Sequence, residues 1–348
     1  MNEVLAFFVP WEFSWLVQLT IWGALLLYWN GLRSSQPDEL PGYGPVLAFV
    51  VGIVLVYLVT QTRFDYWSQY MFFVHRGQHL VLHHLAPFLI ALSMPAPVLA
   101  RGLPRPVKAW FARRQSLRAL WVGVYRSLQQ PLIACVLFVG LIAFWLTPEI
   151  HFDAMLNSTL YWVMNWSMAL DGLLFWWLML APISHQPATA PARGHALATF
   201  HSVGGLDVLP NTPALASVAK ARQDAPPNRF ATLAGAIWGP RRGKRGITPR
   251  LGYGTRVLLL AAVMVPQIII GASIAFADQV WFDVYAVCGR AWPVAPLTDQ
   301  HLGGLITWIP AAMMSVVGAL VVLRFWMYSD QGATTKTRNL AADYADVR

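Results

Sequence analysis

The chain has 348 residues, of which 57% are hydrophobic and 12% are charged, and its mean hydropathy is +0.49. Soluble domains usually carry about 25% charged residues, so this composition excludes an ordinary soluble protein. The formal net charge of +9 comes largely from basic loops, which is typical of membrane topology rather than of a nucleic-acid surface. We therefore expect no nucleic-acid partner.

Seven apolar segments have the length of membrane-spanning helices, or nearly so. None of them alternates apolar and polar residues as a barrel strand does. They lie at about 13–29, 45–62, 70–99, 130–146, 157–181, 256–278 and 303–328. The sequence therefore predicts an all-α integral membrane protein, a bundle of about seven transmembrane helices.

The charges of the loops indicate how these segments are oriented. Loops 100–129 and 182–255 are rich in Arg and Lys, whereas loops 147–156 and 279–302 carry acids and only one basic residue, Arg290. Because basic loops stay in the cytoplasm, we expect the N-terminus outside and the C-terminus in the cytoplasm. This topology suits a multi-pass protein of the bacterial inner membrane, with membrane lipid as a partner.

The same reading divides the chain into four parts. Residues 1–182 hold the first five predicted helices, and residues 255–328 hold the last two. Between them, residues 183–254 are basic and rich in Pro, Ala and Gly, which predicts a long and partly disordered cytoplasmic loop. Residues 329–348 are polar and are predicted to form a cytoplasmic tail.

The third segment begins with the run HRGQHLVLHHLAP, which contains His75, Gln78, His79, His83 and His84. The apolar remainder is too short to span a membrane alone, so the histidines enter the membrane with the helix. Residues four apart share a helix face, which places His75, His79 and His83 together. Imidazole binds copper, zinc and iron, so a metal or cofactor pocket is predicted. Hydrogen bonding between helices is the alternative.

Further candidate residues lie on two other segments. Asp171 is well inside the fifth segment and needs a partner there, for which His84 is one candidate. The seventh segment begins with Asp299, Gln300 and His301, and Met313 follows. Histidines 75, 79, 83, 84, 151 and 301 all fall in the outer half of the predicted bundle or in outer loops, which places the predicted site on the periplasmic side.

Sequence motifs of nucleotide binding and of the common hydrolases are not found. The chain contains no P-loop, Rossmann fingerprint, HExxH or GxSxG, each of which carries a specific chemistry. We therefore do not expect an enzyme.

Three blocks of the sequence stand out: HRGQHLVLHHLAPFLIALSMPAPVL from His75, DGLLFWWLML from Asp171 and LTDQHLGGLITWIPAAMMSVVGAL from Leu297. Together they resemble the CtaG-type cytochrome c oxidase assembly factors, multi-span membrane proteins linked to copper delivery. Two histidine positions differ from the family pattern. The fourth segment reads WLTP where the family has W-H-x-P, and Met164 and Asn165 stand where the family often has E-H.

The resemblance implies an assembly factor that binds copper, as Cu(I), or delivers it from the periplasmic side to a haem–copper oxidase. A periplasmic copper carrier is a further implied partner. The candidate ligands are His75, His79, His83, His301 and Met313. Residues expected to orient these ligands are Gln78, His84, Asp171, Asp299 and Gln300.

Two other functions stay open on the sequence. One is a haem- or quinone-linked redox membrane protein, although haem with two histidine ligands needs them on opposed helices and most of these histidines lie on one helix. The other is a structural accessory subunit of a respiratory or copper-handling complex, in which the histidines serve hydrogen bonds.

Overall fold

The computed structural model describes residues 7–181 and 251–345. Within these two ranges the regular structure is helical and contains no strand, which confirms the all-α fold class. The predicted cytoplasmic loop 183–254 lies almost entirely outside the described residues.

The N-terminal range contains eleven named helices and one π-helical segment. The first are α1 (Trp15–Arg33), α2 (Tyr43–Gln61), α3 (Arg63–Tyr70) and α4 (Phe72–His79). The chain continues without a break through the π-helical segment (Leu80–Leu85) into α5 (Ala86–Leu92). We call Phe72–Leu92 the histidine helix. Then follow α6 (Ala96–Gly102), α7 (Arg105–Arg113), α8 (Gln115–Leu128), α9 (Pro131–Trp145), α10 (Pro148–Leu156) and α11 (Ser158–Leu180).

The C-terminal range is dominated by two long helices that pack against each other. They are α12 (Tyr253–Ala275) and α13 (Pro296–Ala345), with one short turn, Val284–Val287, in the loop between them. Helix α13 continues beyond the predicted seventh segment and through most of the region predicted as a tail.

Four helices of the described part are long and apolar enough to cross a membrane: α2, α11, α12 and the Pro296–Ser329 part of α13. The number rises to six if each of two bent helix pairs is counted as one span. The histidine helix with α6 bends by 75°, and α8 with α9 bends by 74°. Helix α1 has 19 residues but is not among these candidates. The protein therefore has several candidate membrane helices, while the count of seven and the orientation stay predictions.

The π-helical segment has a local cause in the sequence. Proline has no N–H, and its ring displaces the carbonyl group four residues earlier, so Pro87 cannot bond to the carbonyl of His83. The N–H of Ala86 reaches the carbonyl of Val81, five residues back. Because the turn is wider here, the regular four-residue spacing expected from His79 to His83 is broken.

The centre of the histidine helix packs directly against α11. A Cβ atom at Gly172 would overlap the backbone carbonyl of His83, so a glycine is needed for the two backbones to approach this closely. This approach brings the neighbouring Asp171 within reach of the His83 ring.

Replacement of Gly172 by alanine should therefore lower the free energy of unfolding by about 1–3 kcal/mol, the usual cost of overpacking. The matched control is Gly140→Ala in α9, where an added Cβ meets nothing within 4 Å. Thermal unfolding of both variants in detergent measures the difference. Equal midpoints for the two variants would show that the close contact is not needed.

Candidate functional site

Three imidazoles form the first histidine cluster at the start of the histidine helix. The ring centroid of His75 lies 4.4 Å from that of His79 and 5.1 Å from that of His151. All three residues are buried. No ring nitrogen of His75 or His79 has a partner at normal hydrogen-bond geometry among the described residues; the polar neighbours are the backbone of Ser68 for His75 and the side chain of Asn165 for His79. Buried polar atoms of this kind are rare because they cost free energy, so this cluster is where a further group is expected to bind.

The third ring of this cluster, His151, was not among the sequence candidates for a metal ligand. It lies on α10, where its Nδ1 donates to the carbonyl oxygen of Trp145 at 3.0 Å. Its Nε2 lies 3.0 Å from the hydroxyl of Tyr285, which must donate because Nδ1 holds the ring proton. Helix α10 lies outside the candidate spans, and burial lowers the pKa of His151 to about 3. The ring is therefore neutral and presents a lone pair at Nε2. The sequence contains one indication of this position: His151 falls in a predicted outer loop, on the same side of the membrane as His75.

The second histidine cluster consists of His83, His84 and Asp171. Nε2 of His83 lies 3.1 Å from Oδ2 of Asp171, and Nδ1 of His83 lies 3.4 Å from Nε2 of His84. Nδ1 of His84 has no hydrogen-bond partner in the described part of the chain. Asp171 thus pairs with His83, whereas the sequence offered His84 as one candidate partner.

A small cavity lies between the two clusters. The space open to the centre of a water-sized sphere is about 10 Å³, roughly enough for a single water molecule. Its wall includes Arg76, His79, Thr307 and Met168, together with His83 and His84 of the second cluster. Nε of Arg76 donates to Oγ1 of Thr307 at 2.9 Å. No carboxylate among residues 7–181 and 251–329 pairs with this buried guanidinium.

Gln78 holds the histidine helix to its neighbours rather than contacting a histidine ring through a hydrogen bond. Its Nε2 donates to the carbonyl oxygen of Val59 and to Oδ1 of Asp65, both at 2.7 Å. The hydroxyl of Tyr161 donates to the same Asp65 oxygen at 2.8 Å. This network fixes the rotation of the helix and therefore the face on which His75 and His79 lie.

The Asp299–Gln300–His301 block fixes the start of the histidine helix and the adjoining loop. The carboxylate of Asp299 accepts hydrogen bonds from the backbone amides of Phe72 at 3.1 Å and Phe73 at 2.8 Å. Gln300 accepts from the backbone N–H of Trp281 at 2.6 Å. These side chains position a helix and a loop, whereas the sequence suggested that they orient histidine rings.

Two further candidate ligands lie apart from both clusters. Nε2 of His301 donates to the carbonyl oxygen of Ala277 at 2.9 Å. Among the described residues, no ring contact joins His301 to another histidine. The side chain of Met313 is 62% exposed on the surface of α13. The structure therefore places His75 and His79 in the first cluster and His83 in the second, while His301 and Met313 lie apart from both.

The side chains of the first cluster must rearrange before their donor atoms can share one metal. Within the described residues, no three His, Cys, Asp or Glu side chains are already arranged to hold an ion. Rings bound at about 2.0 Å to one metal have centroids roughly 5 Å apart, close to the observed 4.4 and 5.1 Å. His75 and His79 have free nitrogens, while His151 would exchange the hydrogen bond from Tyr285 for the metal.

The carboxyl group of Asp65 gives a pH-dependent test of the Gln78 network. Asp65 is on α3, outside the candidate spans, and burial raises its pKa from 3.8 to about 6. The folded protein therefore binds more protons than the unfolded chain between these values, and its stability falls as the pH rises through them. As the pH rises from below 3.8 to above about 6, the free energy of unfolding of the wild type should fall by about 3 kcal/mol more than that of Asp65→Asn.

Unfolding in detergent at pH 3.5, 5 and 7 would measure this difference; these values sit roughly below, within and above the titration window. Asp153→Asn is the control, since Asp153 is exposed on α10, and this variant should follow the wild type. Parallel pH profiles for the wild type and Asp65→Asn would refute the role given to Asp65.

The chain is similar to one protein family and to several uncharacterized bacterial proteins. The family described as cytochrome c oxidase caa3 assembly factor (Caa3_CtaG) matches residues 25–209 and 229–329. An uncharacterized protein of Mycobacterium leprae is 22% identical over 363 residues, which cover 99% of this chain and 44% of the relative. Uncharacterized proteins of Mycobacterium bovis and Mycobacterium tuberculosis are each 23% identical over 318 residues, which cover 87% of this chain and 37% of the relative.

The chain thus spans less than half the length of the curated relatives it matches. No solved structure matches it. The family match covers most of the chain, including the histidine helix and the Asp299 block. The protein belongs to the cytochrome c oxidase caa3 assembly factor family.

Proposed function

We propose that this protein assists the assembly of a haem–copper cytochrome c oxidase by holding copper as cargo on the first histidine cluster. The observation that carries the proposal is the pair of fully buried rings, His75 and His79, whose four nitrogens have no partner at normal hydrogen-bond geometry in the described residues. Copper would move by ligand exchange, from a periplasmic carrier to these rings and then to the oxidase. No catalytic step is needed.

The chemistry of the cluster favours copper in its reduced state. Imidazole is a good ligand for copper, whereas Mg²⁺ and Ca²⁺ prefer oxygen donors. The buried guanidinium of Arg76, next to His75 in the chain, repels any cation, and the repulsion is twice as large for a divalent ion as for a monovalent one. The soft thioether of Met168 on the cavity wall adds a preference for Cu(I).

The geometry also suits a carrier that must release its metal. Structural zinc sites use four protein ligands, but here two rings are free and the third, His151, already accepts a hydrogen bond. A site of this kind holds a metal less firmly than a complete one, so an oxidase subunit with more ligands can take the metal from it.

The size of the cavity argues against the haem alternative. Pockets for large ligands have volumes of roughly 300–1,000 Å³, while the space beside His79 and His83 takes about one water molecule. A haem between these helices would require them to separate. The accessory-subunit alternative needs no cavity and is tested below.

Substitution of His75 and His79 by glutamine should remove about one copper per chain, because the two free imidazoles supply the donors that copper prefers. The measurement is elemental analysis of detergent-purified protein loaded with Cu(I) under reducing conditions. His301→Gln is the matched control, since this ring hydrogen-bonds elsewhere, and it should retain the wild-type copper content. Equal copper in the wild type and the double variant would contradict the proposal.

The same variants test the assembly role in cells that depend on this protein. We expect His75→Gln/His79→Gln to leave oxidase subunits present but deficient in copper, as measured by the copper content of the purified oxidase. His301→Gln should restore normal oxidase. Full oxidase assembly with the double variant, together with stable co-purification of this protein with the finished oxidase, would favour the accessory-subunit function.

A further inference from the structure

The second histidine cluster has the hydrogen bonding of a metal-binding histidine. When the carboxylate of Asp171 accepts a hydrogen bond from Nε2 of His83, across their 3.1 Å contact, the ring proton lies on Nε2. Nδ1 of His83 is then a bare lone pair. A carboxylate behind a histidine fixes the tautomer and the ring orientation in this way at many metal sites.

The distance between the two rings suits a shared metal as well as a long hydrogen bond. Nδ1 of His83 and Nε2 of His84 are 3.4 Å apart, longer than the usual hydrogen bond of about 2.9–3.0 Å. Two nitrogens bound at about 2.0 Å to one metal, at tetrahedral or trigonal angles, lie roughly 3.3–3.5 Å apart. His84 can present its Nε2 lone pair by carrying its proton on Nδ1, which has no other partner in the described part of the chain.

The surroundings provide space and further soft donors. The rings of His83 and His84 border the small cavity, whose wall also includes His79 and the thioether of Met168. Arg76 lies on the same wall and carries a positive charge. The site therefore accepts a monovalent soft cation with less repulsion than a divalent one.

We infer that His83 and His84, oriented by Asp171, form a second Cu(I) site, and that copper passes to it from the first cluster through His79. This inference rests on the proposed copper function. His79 belongs to the first cluster and borders the cavity of the second, and four residues of helix advance the chain by roughly 6 Å. A metal ion can thus exchange between the two sites without leaving the protein interior.

Copper stoichiometry of the full chain in detergent tests this inference directly, with Cu(I) supplied under reducing conditions at saturating concentration. The wild type should hold about two copper ions, since each cluster offers one set of imidazole donors. His84→Gln should hold about one fewer, and His301→Gln should equal the wild type. The first-cluster variant His75→Gln, which leaves His79 in place, should still bind copper at the second cluster.

Asp171→Asn provides an independent variant in case His84→Gln folds poorly. It should lower the Cu(I) affinity of the second site about 10- to 100-fold, as loss of an orienting partner typically does, and competition with a Cu(I) chelator measures this affinity. Wild-type stoichiometry in His84→Gln together with wild-type affinity in Asp171→Asn would overturn the inference while leaving the first site intact. Lack of copper in the wild type itself would instead refute the proposed function.

Discussion

The carboxylate of Asp299 accepts hydrogen bonds from the first two backbone amides of the histidine helix, and the placement of that helix depends on this contact. The first amides of any helix have no partner within the helix, and inside a membrane no water can replace one. Arg290 pairs with Asp299, and Gly303 lets Phe72 lie directly against α13. The start of the histidine helix is thereby held to α13, and every later residue of the helix takes its position from there.

Once its start is fixed, the polar residues of the histidine helix find partners on different neighbours. Gln78 bonds to α2 and α3, Arg76 to Thr307 of α13, and His83 to Asp171 of α11. Such pairing is expected because unpaired polar groups are costly in an apolar interior. The free nitrogens of His75 and His79, together with Nδ1 of His84, are therefore exceptions within a helix whose other polar residues are paired. This contrast supports a ligand at these rings more strongly than burial alone would.

The sequence predicted the helices well, because membrane helices are long apolar runs with polar ends. The segment predicted at 157–181 is observed as Ser158–Leu180, and the segment predicted at 256–278 is observed as Tyr253–Ala275. The details of the site were harder to predict. Regular helical spacing placed His83 on the face of His75, but Pro87 leads to a π-helical segment, and the ring of His83 meets Asp171 of α11 rather than the first cluster. Periodicity also indicates which side of a helix is buried but not which neighbour it faces, so the outward placement of Met313 on α13 was not foreseen.

The position of His151 shows why a motif comparison alone misjudges this site. In the fourth segment the sequence WLTP lacks the histidine of the family pattern, which suggested a reduced set of ligands. Helix α9, however, ends at Trp145, and α10 begins three residues later at Pro148. The turn between them brings His151 back onto the carbonyl oxygen of Trp145 and against the ring of His75. A third imidazole is thus supplied by the next helix, and the number of histidines at the site follows from the path of the chain rather than from the motif.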